Sequence, residues 1–149
     1  MKIVNLLGYE LDDELHVGPF HHFGERLGPE LGAEQLGCGV YDVAPDGRMW
    51  PYHWHAGNEE WLVVVAGRPT LRTPSGEHEL APGDVVNFPE GEAGGHAVSN
   101  RSGETVRVAV FSTLRSGFGV FPDSGKIGLP GYAFRVADAA DYWDGELET

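Results

Sequence analysis

At 149 residues and 41% apolar composition, the chain has the size of one domain with a single hydrophobic core. Its formal net charge of -13 repels phosphate backbones and anionic lipid, which argues against nucleic-acid and membrane partners. The lone cysteine, Cys38, rules out a disulfide framework, and no window approaches the ~20 apolar residues of a membrane span, so a cytoplasmic protein is expected.

Residues 1–35 have weak periodicity. They read as an N-terminal arm packed on the domain, with one amphipathic stretch around Glu25 to Leu36 that allows a helical turn. His16, His21 and His22 fall in this arm and are read as solvated surface.

From Leu36 short β-prone runs alternate with turn signals, and residues 36–115 are expected to form a β-barrel. Strands are predicted over Leu36–Val43, Trp50–His55, Trp61–Val65, Thr70–Thr73, Glu77–Leu80, Val85–Phe88, Ala97–Asn100 and Val106–Ser112. Ala44-Pro45-Asp46-Gly47 and Pro74-Ser75-Gly76 have the chemistry of tight turns. Eight strands joined by short connections make antiparallel neighbours, which fits a β-sandwich or a closed jelly-roll barrel.

Residues 116–149 are read as an extension packed on the barrel or on a second copy of the chain. The Gly- and Pro-rich stretch Phe118–Gly131 weakens the strand pattern, Tyr132–Phe134 suits an edge strand, and Asp138–Trp143 suits a short capped helix.

Candidate chemistry begins at His53-Trp54-His55. Residues at i and i+2 of a strand share a face, so both imidazoles can meet one metal ion. Glu60 opens the apolar run that follows, and a carboxylate entering a buried strand needs a partner. Its neighbour Glu59 is assigned to the outer face. His96 follows the glycine-rich stretch Gly91-Glu92-Ala93-Gly94-Gly95 and precedes Ala97-Val98. Leu62 and Val64 share the parity of Glu60, while Tyr41, Tyr52, Arg72, Phe88 and Phe111 lie on or beside predicted strands. These seven are the candidate pocket residues, although an outward arginine is the commoner fate for Arg72.

In two blocks these residues resemble the cupins. The first has Gly47, five residues, His53-Trp54-His55, four residues, Glu60, six residues and Gly67. The second has Gly83, five residues, Pro89-Glu90-Gly91, four residues, His96, three residues and Asn100, with two residues more than the family pattern ahead of His96. Asn58-Glu59-Glu60-Trp61 and Pro122-Asp123-Ser124-Gly125-Lys126 are similar to segments of small bacterial cupins of unassigned activity.

The resemblance implies an all-β double-stranded β-helix, or jelly roll, in which His53, His55, Glu60 and His96 bind one divalent transition metal, Fe, Mn, Zn or Ni. It further implies a homodimer with a small-molecule ligand. The expected function is a metal-dependent enzyme of dioxygenase, isomerase or lyase/decarboxylase type acting on a small polar metabolite. The alternatives are a non-catalytic small-molecule or metal-binding module and a metal-free sugar-nucleotide epimerase.

Overall fold

The structure is a computed structural model and describes residues 1–129 and 131–146. Among these are thirteen strands: β1 (Glu14–Val17), β2 (Phe20–Arg26), β3 (Leu36–Val43), β4 (Trp54–Ala56), β5 (Glu60–Ala66), β6 (Thr70–Thr73), β7 (Gly76–Glu79), β8 (Val85–Phe88), β9 (Ala97–Ser99), β10 (Val106–Thr113), β11 (Phe118–Phe121), β12 (Lys126–Leu129) and β13 (Tyr132–Arg135). One short helix, α1 (Leu27–Leu31), lies in the amphipathic stretch of the arm.

Every ladder between these strands is antiparallel. Six strands form a sheet in the order β1-β2-β3-β10-β5-β8, four run β13-β12-β11-β4, and three run β7-β6-β9. The result is a jelly-roll barrel.

Alternation fixes which face is inside. On β5, Leu62 and Val64 are buried while Trp61 is exposed, and on β10 Val106 and Val108 are buried. With Val43, Met49, Leu71, Phe88 and Val98 they form the core. Each such aliphatic side chain contributes roughly 1.5–3 kcal/mol by leaving water. The outer face is tied by charge: Arg107 grips Asp42 across β10 and β3 through two hydrogen bonds of 2.6 Å and donates to the carbonyls of Leu6 and Leu7, anchoring the N-terminal segment.

The structure departs from the predicted elements in three places. The first 35 residues are more regular than their periodicity suggests. Gly18-Pro19 is a two-residue loop that closes the β1–β2 hairpin, and β2 pairs with β3, extending the main sheet. Between Trp50 and His55 only Trp54 and His55 join a ladder, because Pro51 has no N–H to donate. After Thr113 the Gly-rich stretch makes β11 and β12, whereas the helix expected over 138–143 is replaced by a single 3₁₀ turn at Val136–Asp138.

Candidate metal centre

Four side chains of different elements converge inside the barrel. His55 lies on β4, Glu60 opens β5, and His53 and His96 sit opposite one another as an isolated backbone pair. Each of these two histidines donates its N–H to the other's carbonyl, at 3.0 and 2.8 Å. That reciprocal pair sets two imidazoles side by side, with ring centres 4.5 Å apart. One nitrogen or carboxylate oxygen from each of His53, His55, Glu60 and His96 lies within 4.8 Å of all the others.

The imidazoles are oriented by backbone acceptors. His53 donates from Nδ1 to the Pro51 carbonyl and His96 from Nδ1 to the Gly94 carbonyl, both at 2.8 Å. These carbonyls accept only, so they assign the proton to Nδ1 and leave the Nε2 lone pairs facing the cluster. Phe88 stacks on His96 at 3.8 Å, and Phe121 packs over His53 at 5.7 Å.

The two residues that the second block carries beyond the cupin pattern are absorbed here. Residues 92–94 form a 3₁₀ turn whose last carbonyl is the acceptor that aims His96. Gly94 permits the turn: a Cβ there would stand 1.8 Å from the Pro89 carbonyl oxygen.

Electrostatics favour a bound cation. Burial lowers the His53 pKa to about 4, and the neighbouring His96 and His55 act in the same direction, so the ring is neutral at pH 7. Burial alone would raise Glu60, but contacts to His55 and His96 outweigh it and hold the carboxyl at about 2. Glu60 Oε2 lies 3.0 Å from His55 Nε2 and 3.4 Å from His96 Nε2. His55 Nε2 is nevertheless buried without a hydrogen-bonded partner, since the 3.0 Å contact is misaligned. A lone pair so placed is satisfied by a cation, and three imidazoles with one carboxylate suit a first-row divalent ion.

Of the candidate pocket residues, Tyr41, Leu62 and Phe88 line the cavity of about 720 Å³ that opens onto the four side chains. The other four lie elsewhere. Val64 is in the core, and Phe111 occupies the face of β10 opposite Val110. Tyr52 and Arg72 border a separate recess, where Arg72 forks onto Asp123 and stacks on Tyr52 at 4.1 Å. An arginine already committed to a carboxylate ties β6 to the 3₁₀ turn at Pro122–Ser124. Glu59 faces outward and accepts from Trp61 and Asn87. Asn100 is buried as a structural clip: it donates to the carbonyls of Val43, Ala44 and Glu104 and accepts from Ser102.

Trp50, which opens a predicted strand, also lines the cavity, and sequence reasoning missed Arg26, Phe121 and Lys126, which do so too. The signal for two of them was present in the apolar alternation Phe118-Gly119-Val120-Phe121 and in the segment ending at Lys126. Burial holds the Tyr41 phenol above its usual pKa, with Arg26 opposing and Glu60 reinforcing, so both charges act on that hydroxyl.

Comparison with known proteins agrees with this architecture. The cupin domain model Cupin_2 matches residues 39–112. A provisionally named sugar phosphate isomerase from Acidithiobacillus ferrooxidans superposes with a TM-score of 0.73 at 27% identity, covering 81% of this chain and 80% of that one. A sugar phosphate isomerase of the cupin superfamily from Silicibacter pomeroyi gives 0.78 at 22% identity, over 96% and 98% of the two chains. The polyketide cyclase RemF from Streptomyces resistomycificus gives 0.64 at 22% identity, over 99% and 94%. No protein of curated function matches the chain in sequence. With both motif blocks and the barrel in place, the chain carries a cupin domain over residues 39–112.

Proposed function

We propose that the protein is a metal-dependent enzyme that moves a proton between adjacent carbons of a small hydroxy-carbonyl compound, an isomerase of the aldose–ketose kind. The observation that carries this reading is the cluster of His53, His55, Glu60 and His96 at the floor of a cavity of small-molecule size. The 27% identical likeness to a provisionally named sugar phosphate isomerase favours isomerisation over oxygenation. These four residues would hold the ion, which when bound supplies a Lewis acid able to polarise a carbonyl.

The chain's own residues do the rest. The apolar wall of Leu62, Phe88 and Val110 excludes water from one side of the cavity. Tyr41 lines it too, and its raised pKa keeps the phenol protonated at neutral pH, able to donate to a substrate oxygen. The reading includes a homodimer, supported by the exposed apolar residues of β13 and of the segment that follows it.

The test is elemental analysis of untagged protein, followed by incubation with aldoses and ketoses in D₂O. Expected are near-stoichiometric metal, none in a His53→Ala/His96→Ala variant, and deuterium entering the substrate carbon next to the carbonyl without oxygen uptake. Oxygen consumption without exchange would replace isomerisation with oxygenation. Bound metal with no turnover would leave a binding module, and protein that takes up no metal would end the reading.

A further inference from the structure

The cavity is cationic in a strongly acidic protein. The chain has 23 acidic residues against 10 lysines and arginines, yet Glu60 is the only carboxylate among the described lining residues. Two cations, Arg26 and Lys126, line the same cavity. An adjoining cavity of about 580 Å³ shares Arg26, Tyr41, His55 and Glu60 with the first, and adds Arg115 with no further carboxylate.

These cations differ from most of the other arginines. Arg68, Arg72, Arg101 and Arg107 are each held by a carboxylate at 2.5–2.7 Å. Arg26, Lys126 and Arg115 have no ion pair among the described residues. With acids in more than twofold excess, a cation facing a cavity without a counter-ion is a place where an anion gains most.

The positions are built by the fold. Arg26 ends β2 in register with Gly39 of β3, whose missing side chain leaves room for the Tyr41 phenol beside it. Lys126 begins β12 after Gly125, whose φ of +59° turns the chain. Its ammonium is 5.9 Å from the Phe121 ring, which in turn packs over His53. Lys126 is therefore one aromatic ring away from the candidate metal ligands.

We infer that Arg26 and Lys126 form an oxyanion-binding subsite beside the metal cluster, so that the substrate carries a phosphate or carboxylate group as well as the reacting hydroxy-carbonyl. This rests on the proposed enzymatic use of the cavity and names its substrate class. The anionic end would sit on the two cations while the carbonyl end faces the histidines. Arginine suits such a group because its planar fork can match two oxygens at once, while lysine contributes a compact charge.

The probes are inorganic phosphate and malonate, titrated calorimetrically into the metal-loaded protein and into protein stripped with a chelator. Saturable binding of one of them is expected, weakening as salt rises and at least tenfold weaker in Arg26→Gln/Lys126→Gln. Arg68→Gln should bind as the wild type does, and Arg26→Lys/Lys126→Arg should retain most of the affinity, separating charge from folding. Tighter phosphate assigns a phosphorylated substrate, and tighter malonate a carboxylate. The inference is overturned if neither anion saturates, or if the double glutamine variant binds as tightly as the wild type, because the anion then sits elsewhere. Metal content measured on the same samples keeps the two ideas apart. Metal without anion binding removes only this subsite, and anion binding without metal removes only the isomerase reading.

Discussion

At the scale of single residues, position in the barrel sets chemistry more than residue type does. Of the seven histidines, only His53, His55 and His96 converge on the half-buried carboxylate of Glu60. His22, expected at the surface, is also buried, but it packs edge-on against Trp50 at 4.4 Å and stands apart from the cluster. His53 makes the metal-free protein sensitive to acid. Its folded pKa of about 4 lies below the ~6.5 of an unfolded histidine, so the unfolded chain takes up the proton first as pH falls. Its stabilising effect is whole above about pH 6.5 and is lost on the way down to about 4, on the order of 3 kcal/mol. The low pKa of Glu60 continues the loss toward pH 2. Thermal melts of chelator-treated protein should therefore fall steadily from pH 7 to pH 4, and a flat profile would contradict this burial. Asn100 gives a second test. Asn100→Ala would strand three carbonyls and the Ser102 N–H, so it should cost about 2–4 kcal/mol in denaturant unfolding.

At the scale of elements, the loop between β8 and β9 decides how well the site is formed. The 3₁₀ turn at Glu92–Gly94 is pinned to β4, since the Gly91 N–H donates to the His55 carbonyl and Glu90 accepts from the Gly57 N–H. The same loop that aims His96 is thus bonded to the strand carrying His55. Gly94→Ala places a methyl group against the Pro89 carbonyl, and only movement of the turn relieves it. Metal affinity should drop at least tenfold while the circular dichroism spectrum stays that of a β-protein. Unchanged affinity would mean that the Gly94 carbonyl does not position His96. Strand parity also shows why alternation reads some elements well. Glu60, Leu62 and Val64 share one face because β5 pairs regularly with β10 up to Val64, before the register shift opposite Arg107, whereas the segment 50–53 departs from strand geometry at Pro51 and carries its side chains into two different cavities.

At the scale of the whole molecule, apolar surface is concentrated near the C-terminal end. Tyr132 and Phe134 on β13 are largely exposed, as are Tyr142 and Trp143, and β13 is an edge strand paired only with β12. Apolar side chains on an unpaired edge favour association. Light scattering should give twice the chain mass, and Phe134→Glu/Tyr142→Glu should shift it to the monomer. A wild-type monomer would remove the dimer from the reading.

The sequence by itself determined the barrel and the four converging side chains. Alternation along a strand and turn chemistry at Gly and Pro narrow the fold to a β-sandwich or a barrel, and the spacing of His53, His55, Glu60, His96 and the motif glycines, through its resemblance to the cupins, selects the barrel and the four side chains. Leu36–Val43 and Val85–Phe88 have the boundaries that alternation and turn chemistry predict for them. The tertiary structure alone decided what surrounds the cluster. Arg26 and Lys126 are a hundred residues apart in sequence, and nothing local to either shows that β2 and β12 border one cavity. Arg72 and Phe111 lie on strands of the right kind, yet one is taken by Asp123 and the other turned to the opposite face. Ligand spacing is written into short segments of chain, whereas a pocket wall is set by which strands the closing barrel brings together.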